Sequence, residues 1–303
     1  VSAPPYAWAL FTVAAAAAQT ARNAMQRGLT AKVGVAAASW ARFIFALPFA
    51  LAFLAVVLSF ERGSVSVRDG FGVWLLIGSL AQMAGTATML LAMRDRSFVT
   101  VTAYLKTEPI QVAAFSLVFL GEPLTPLRFA AVVLGTAAVM LMSWPPASTK
   151  DAFGAAGRDL RGAGWGVAAA AAFAMAAVGY RGAVTHLDGV SFLSAATLAL
   201  VATLTIQTLL SIAWLLAADR ARLPALFAAW RESVPAGFAG AIASQCWFLA
   251  LALQTAPAVR TLALVEVVFA QLVSWRLLRE KVSRRDVAGM ALLAVALIVI
   301  LRT

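Results

Sequence analysis

The chain has 303 residues, of which 62% are hydrophobic and 12% charged, with a net charge of +11 and a mean hydropathy of +0.88. A soluble domain carries roughly 25% charged residues, so this composition excludes a water-soluble fold. The basic residues cluster between apolar runs and form no face interleaved with aromatics, which argues against a nucleic-acid partner. One cysteine, Cys246, and one histidine, His186, exclude an internal disulfide and a His/Cys metal site.

Apolar runs long enough to cross a hydrocarbon core of roughly 30 Å recur along the whole chain. They predict spans at 5–26, 33–58, 71–93, 98–120, 126–143, 162–180, 190–217, 234–254, 258–278 and 285–301. None alternates apolar and polar residues as a barrel strand must, and in lipid the other option is the helix. The first run has no basic n-region and no small-residue cleavage site, so it reads as a retained helix. It carries Gln19, Arg22, Asn23 and Gln26 at i, i+3, i+4 and i+7, one polar stripe on an alanine-rich helix. Lipid does not satisfy such a stripe. It faces the bundle interior or a water-filled cavity, unless Arg22 and Gln26 lie near the helix end and reach the headgroups.

Arg42 and Trp40 fall in the second span, and Ser79, Gln82 and Thr86 stripe the third. In the fourth, Tyr104, Glu108 and Gln111 share a face, while Lys106 lies about 200° from Glu108 on a helical wheel. Pro109 removes a backbone hydrogen bond, kinks the helix and frees the carbonyl of Leu105. The longest polar stretch, 144–164, joins two halves. Beyond it, Thr203, Gln207 and Ser211 stripe the seventh span, and Gln245 and Trp247 interrupt the eighth, where Gly237, Gly240 and Ser244 read as close helix packing. Glu266 in the ninth is flanked by Val265, Val267 and Val268, which favours its neutral form and makes proton coupling feasible, at Glu266 and equally at Glu108. Gln271 follows it. Trp8, Trp74, Trp144, Trp165 and Trp275 lie near span ends and read as interface anchors; Trp40 and Trp247 are better candidates for ligand contact, with packing the more ordinary role for either alone.

The halves resemble each other. At one constant offset Glu108 falls on Glu266, Glu122 on Glu280 and Thr125 on Ser283, and "MQRGLTAKVGV" echoes "GYRGAVTHLDGV" around Arg27 and Arg181. Five spans per half is an odd number, so the second half enters the membrane from the opposite side. The expected fold is an all-α integral membrane protein of ten transmembrane helices, built as two inverted five-helix repeats: residues 1–146, a linker at 147–161, and 162–303. Inverted repeats place a substrate site at their interface near the midplane.

Glu108-Pro109, followed by Gly121-Glu122-x-Leu124-Thr125 and a small-residue helix, resembles EamA-type members of the drug/metabolite transporter superfamily. The resemblance covers nearly the whole chain. It implies a cavity lined by helices one to four and six to nine, peripheral fifth and tenth helices, and no particular substrate. Val267 stands where a proline commonly follows the second glutamate, and Arg279 where the first half has Gly121. Most Lys and Arg lie in the odd-numbered loops, which by the positive-inside rule puts both termini outside the cytoplasm; the resemblance implies the reverse.

These observations predict a secondary, alternating-access transporter of a bacterial inner membrane, moving a small polar metabolite such as an amino acid or related zwitterion or anion, with export implied by the resemblance. The expected binding residues are Gln19, Arg22, Asn23, Gln82, Tyr104, Lys106, Glu108, Gln245, Trp247 and Glu266, with Glu108 and Glu266 as proton-coupling candidates. Alternatively the two glutamates are locked in ion pairs with Arg22, Arg42 or Lys106 and hold helices together. A passive channel remains open, and a scaffold subunit would not need these buried polar groups. No Walker segment, GxSxG or HExxH is present, which predicts neither direct ATP use nor an enzyme, and no cofactor is expected. The expected partners are the solute and the bilayer, with the protein a monomer or homodimer.

Overall fold

The computed structural model describes residues 3–33, 35–61, 63–95, 98–143, 156–220, 222–269, 271 and 283–303. The chain is almost wholly helical. In order come α1 (Ala7–Val33), α2 (Val35–Phe60), β1 (Ser66–Val67), α3 (Phe71–Asp95), α4 (Phe98–Leu105) and α5 (Glu108–Phe115), which runs on into a π-helical turn, Ser116–Leu120. Then follow α6 (Pro126–Ser143), α7 (Ala156–Val184), β2 (Leu187–Asp188), α8 (Phe192–Ala218), α9 (Arg222–Ala228), α10 (Trp230–Leu253), α11 (Ala256–Leu262), a helical stretch at 265–269, and α12 (Arg284–Arg302). Six of these, among the described residues, hold segments long and apolar enough to cross a membrane: Ser39–Phe60, Phe71–Met93, Pro126–Ser143, Ala163–Val184, Phe192–Ala218 and Trp230–Leu253. Large apolar side chains such as Leu10, Val118, Leu209 and Phe60 are exposed, a surface that lipid stabilises and water does not. This is an all-α, multi-pass membrane protein.

Helix starts follow local chemistry. Thr125 accepts the backbone N–H of Arg128 at 3.2 Å, capping α6. Ser283 begins α12 with a full capping box: its Oγ accepts from Asp286 N at 3.2 Å, and its own N–H donates to Asp286 Oδ2 at 2.8 Å. Ser191 caps α8 with its side chain, which accepts the N–H of Ser194. α7 begins at Ala156, ahead of the expected span at 162, and α9 is a short helix where the sequence pattern predicts only loop.

The chain divides into two compact units, each drawing on both halves of the sequence. Unit 1 holds Val1–Ser79 and Gly179–Gln254, with α1, α2, α8 and α10 as its long helices. Gly237 lets α10 lie directly on the backbone of Phe45 in α2, and an added Cβ there would stand 2.6 Å from the Phe45 carbonyl oxygen. At one end of the unit β1 pairs antiparallel with β2, Ser66 opposite Asp188, and Arg68 meets Asp188 at 3.6 Å, a solvent-exposed pair of little energetic weight. Trp8, in the first turn of α1, is only 6% exposed.

Unit 2 holds Leu80–Val178 and Thr255–Thr303. Its core is the contact of α6 with α12, where Ala138, Val139, Leu264 and Leu293 are buried and Val267, Val268 and Leu297 pack against them. Val267 and Val268, beside Glu266, therefore serve packing. Gly85 and Gly166 admit close neighbours, Phe173 and Tyr104 respectively, each within 3 Å of where a Cβ would sit. Gln26, Trp144, Trp275 and Glu280, singled out from sequence, lie outside the described side chains.

Candidate functional site

The fourth span is two helices. α4 ends at Leu105, residues 106 and 107 turn, and α5 restarts at Glu108. The N–H groups of Lys106 and Thr107 reach back only three residues, to Ala103 and Tyr104, at 3.1 Å each. The Thr107 hydroxyl also donates to Tyr104 O at 2.8 Å and accepts from Gln111 Nε2 at 3.0 Å. Pro109, lacking an N–H, removes the bond that would have continued the helix. A wheel drawn through Tyr104, Lys106 and Glu108 therefore does not apply, since no single helix carries all three.

The same interruption recurs in the other half without a proline. α11 ends at Leu262; Leu264 N reaches Thr261 O at 3.1 Å, and Glu266 N reaches Ala263 O at 3.0 Å as a helix resumes. Val267 occupies the position where a proline would have accounted for the break. Tight i to i−3 turns interrupt the helix with valine in place.

Glu108 sits in the first turn of α5, and Arg260 in the last turn of α11. Arg260 donates to Glu108 Oε1 from Nε at 2.7 Å and from its terminal nitrogen as well. The side chains are 20% and 15% exposed, so the pair is largely withdrawn from solvent. Both charges also complement their helix ends, a carboxylate at an N-terminus and a guanidinium at a C-terminus. Arg260 lies at the edge of the expected ninth span, 258–278, and the sequence reading did not single it out as a site residue. The signal was available, since it stands inside the apolar run "PAVRTLALV". Lys106, in the turn, has no ion-pair partner among the described residues.

Glu122 takes a different role. Gly121, at φ +64°, turns the chain in a conformation that suits glycine, and the next side chain then swings toward two donors. Glu122 Oε2 accepts from Ser116 Oγ at 2.5 Å and from Ala256 N at 3.3 Å, capping α11 from the loop before α6. The motif residue of one half thus holds the broken helix of the other.

Unit 1 carries Gln19, Arg22, Asn23, Gln245 and Trp247 from the predicted set; Gln82, Tyr104, Lys106, Glu108 and Glu266 belong to unit 2. Trp247 Nε1 donates to Gln19 Oε1 at 3.2 Å, tying α10 to the polar stripe of α1. Arg22 bonds Asn23 Oδ1 at 2.8 Å, and its methylene stem crosses Gly240, whose missing side chain leaves the room. Gln245 donates to Thr197 Oγ1 at 2.8 Å, while its own carbonyl oxygen is buried with no hydrogen bond among the described residues. Gln207 bridges Tyr180 OH and the carbonyl of Ser79. Trp40 is buried against Phe43 and Trp214. Arg181 donates to Leu251 O at 2.6 Å and Ala252 O at 3.3 Å, at the C-terminal end of α10.

At the outer end of α2, Glu61 accepts from Ser191 Oγ at 2.7 Å, Ser194 Oγ at 2.5 Å and Ser191 N at 3.1 Å. These donors favour the carboxylate and hold its pKa down at about 2. Glu61 thereby fastens the end of α2 to the start of α8.

Residues 6–144 match the model of the EamA-like transporter family. The sequence resemblance to the drug/metabolite transporters is thus supported by an independent match over residues 6–144, which is consistent with a membrane transporter of that type. One solved crystal structure superposes with a TM-score of 0.71 at 17% identity, covering 96% of this chain and 97% of that one. At that identity the likeness speaks for the fold alone. No curated protein matches the chain.

Proposed function

We propose that this EamA-like protein is a secondary, alternating-access transporter of a bacterial inner membrane, with ten transmembrane helices in two inverted repeats, 1–146 and 162–303, joined by the linker 147–161. Its cargo is a small polar metabolite, an amino acid or related zwitterion or anion, moved outward. One observation carries the reading. Both halves contain an interrupted helix at the position the sequence repeat aligns, and each restarts at or beside a glutamate, Glu108 and Glu266. Interrupted helices near the midplane expose backbone groups that lipid cannot satisfy, so they serve where a cavity, a solute or an ion does. Capping of α6 by Thr125 and of α12 by Ser283 adds support for the repeat.

In this reading Gln19, Arg22, Asn23, Gln82, Tyr104, Lys106, Gln245 and Trp247 line the path, and a carboxylate at Glu266 or Glu108 exchanges a proton for cargo. The pairing of Glu108 with Arg260 supports a second role for Glu108, holding two broken helices together. Substrate-dependent melting of purified protein separates the two. A panel of amino acids, amines and phosphorylated metabolites is screened against wild type, Glu108→Gln and Glu266→Gln. A compound that stabilises wild type but not Glu266→Gln supports the proposal. Equal stabilisation of all three proteins makes both glutamates structural and removes them from the site.

A further inference from the structure

In unit 2, Lys106 and Glu108 carry opposite charges two residues apart, at the break that ends α4 and starts α5. The turn between them does not bring the charges together: among the described residues no ion pair joins Lys106 to Glu108. Lys106 stands eight residues beyond Phe98 and fourteen before Leu120, or about 12 Å and 21 Å from the ends of the fourth span at ~1.5 Å per residue. That depth lies within a hydrocarbon layer of roughly 30 Å, where a lone ammonium is costly.

The other polar groups at this break are already engaged. The Thr107 hydroxyl donates to Tyr104 O at 2.8 Å and accepts from Gln111 Nε2 at 3.0 Å, and the N–H groups of Lys106 and Thr107 reach Ala103 and Tyr104. Arg260 places both of its bonds on one oxygen of Glu108, Oε1, while Glu108 Oε2 accepts none among the described residues. Glu122, the next carboxylate along, is held by Ser116 Oγ and Ala256 N. Lys106 is partly buried, and its ammonium has neither an ion pair nor a hydrogen bond among the described residues. Two groups remain, an ammonium and a carboxylate oxygen, anchored on a turn held by its own hydrogen bonds. Charges withdrawn from water are stable when each has a partner. A molecule with a carboxylate and an ammonium on one carbon supplies both partners at once. A simple anion leaves Glu108 Oε2 without a donor, and a simple cation leaves Lys106 without an acceptor.

We propose that Lys106 and Glu108 recognise the zwitterionic head of an α-amino acid, Lys106 Nζ donating to its carboxylate and Glu108 Oε2 accepting from its ammonium. The assignment rests on the transport reading above and narrows its cargo to molecules carrying both groups, excluding simple anions and simple organic cations. Arg260 is a positioning residue: by occupying Oε1 it fixes the Glu108 carboxylate and leaves Oε2 to the solute.

The test uses the full chain in detergent micelles and reads affinity from the concentration dependence of the melting temperature. The twenty standard amino acids are screened. The best stabiliser is then compared with its α-amide, which lacks the carboxylate, and its N-acetyl derivative, which lacks the ammonium. Wild type is expected to bind the amino acid about tenfold or more tightly than either derivative, as one charged hydrogen bond requires. Lys106→Gln loses the preference over the amide while its affinity for the amide stays within about twofold of wild type, and Lys106→Arg keeps the preference. Glu108→Gln loses the preference over the N-acetyl derivative. Equal affinity of wild type for the amino acid and its derivatives overturns the proposal, as does an unchanged preference in Lys106→Gln or a wild type that answers to no amino acid. Should Lys106→Gln fail to fold, acetylation of wild type by an N-hydroxysuccinimide ester decides, read at each lysine by mass spectrometry. The amino acid slows modification of Lys106 and the amide does not, with Lys32, Lys150 and Lys281 as controls. Equal modification of Lys106 with and without the amino acid overturns the assignment. Exchange of labelled amino acid in proteoliposomes keeps the two readings apart. Exchange with no discrimination against the amide overturns the site and leaves transport standing; discrimination without exchange keeps the site and removes the transport reading.

Discussion

Replacing Glu108 with glutamine removes the carboxylate that Arg260 faces and leaves a guanidinium in a largely buried place. The pair is 20% and 15% exposed. Breaking a buried pair from one side costs about 3–5 kcal/mol, and the residual exposure puts this one at the lower end, about 3 kcal/mol. That figure includes about 0.3–1 kcal/mol from the favourable charge of Glu108 at the N-terminus of α5. Arg260→Gln strands the carboxylate instead and costs a similar amount. The double variant removes both charges together, so its loss stays near that of either single change, giving a coupling of about 2–3 kcal/mol. The four proteins are unfolded in mild-detergent micelles by added SDS, with tryptophan fluorescence as the readout. A double variant whose loss equals the sum of the singles within about 0.5 kcal/mol would refute the reasoning, because the ion pair would then contribute nothing as a unit.

Two further outcomes test the packing and the loop contacts. Gly237→Ala forces a methyl against the Phe45 backbone and is expected to cost about 1–3 kcal/mol, whereas Gly72→Ala, with nothing within 4 Å, is expected to be neutral or stabilising by up to about 1 kcal/mol; melting temperatures of the two variants should move apart. Glu61, held at about 2 against an ordinary 4.5, has a lowered folded-state pKa, so its contribution is fully present above pH 4.5 and is lost as pH falls toward 2. The melting difference between wild type and Glu61→Gln should therefore be constant above about pH 5 and shrink below 4.5; a difference that grows on acidification would contradict the hydrogen-bond account.

Much of the architecture was legible without coordinates. Hydropathy is a local property, and a run such as 126–143 predicts its helix to the residue because a chain in lipid has no other way to satisfy its backbone. The offset that aligns Glu108 with Glu266 also aligns the caps Thr125 and Ser283, since N-capping depends on residues within one turn. Pro109 announced a kink by removing a donor.

Tertiary structure decided the rest. Arg260 meets Glu108 from far along the chain, and nothing near either residue names the other. Glu122 caps α11 across a similar separation. The break at 263 and 264 has no proline to reveal it; tight turns to Thr261 and Ala263 keep its N–H groups bonded, and the core around Leu264 packs it. Membrane insertion is written residue by residue in the sequence, whereas the partner of a buried charge exists only once distant helices have packed.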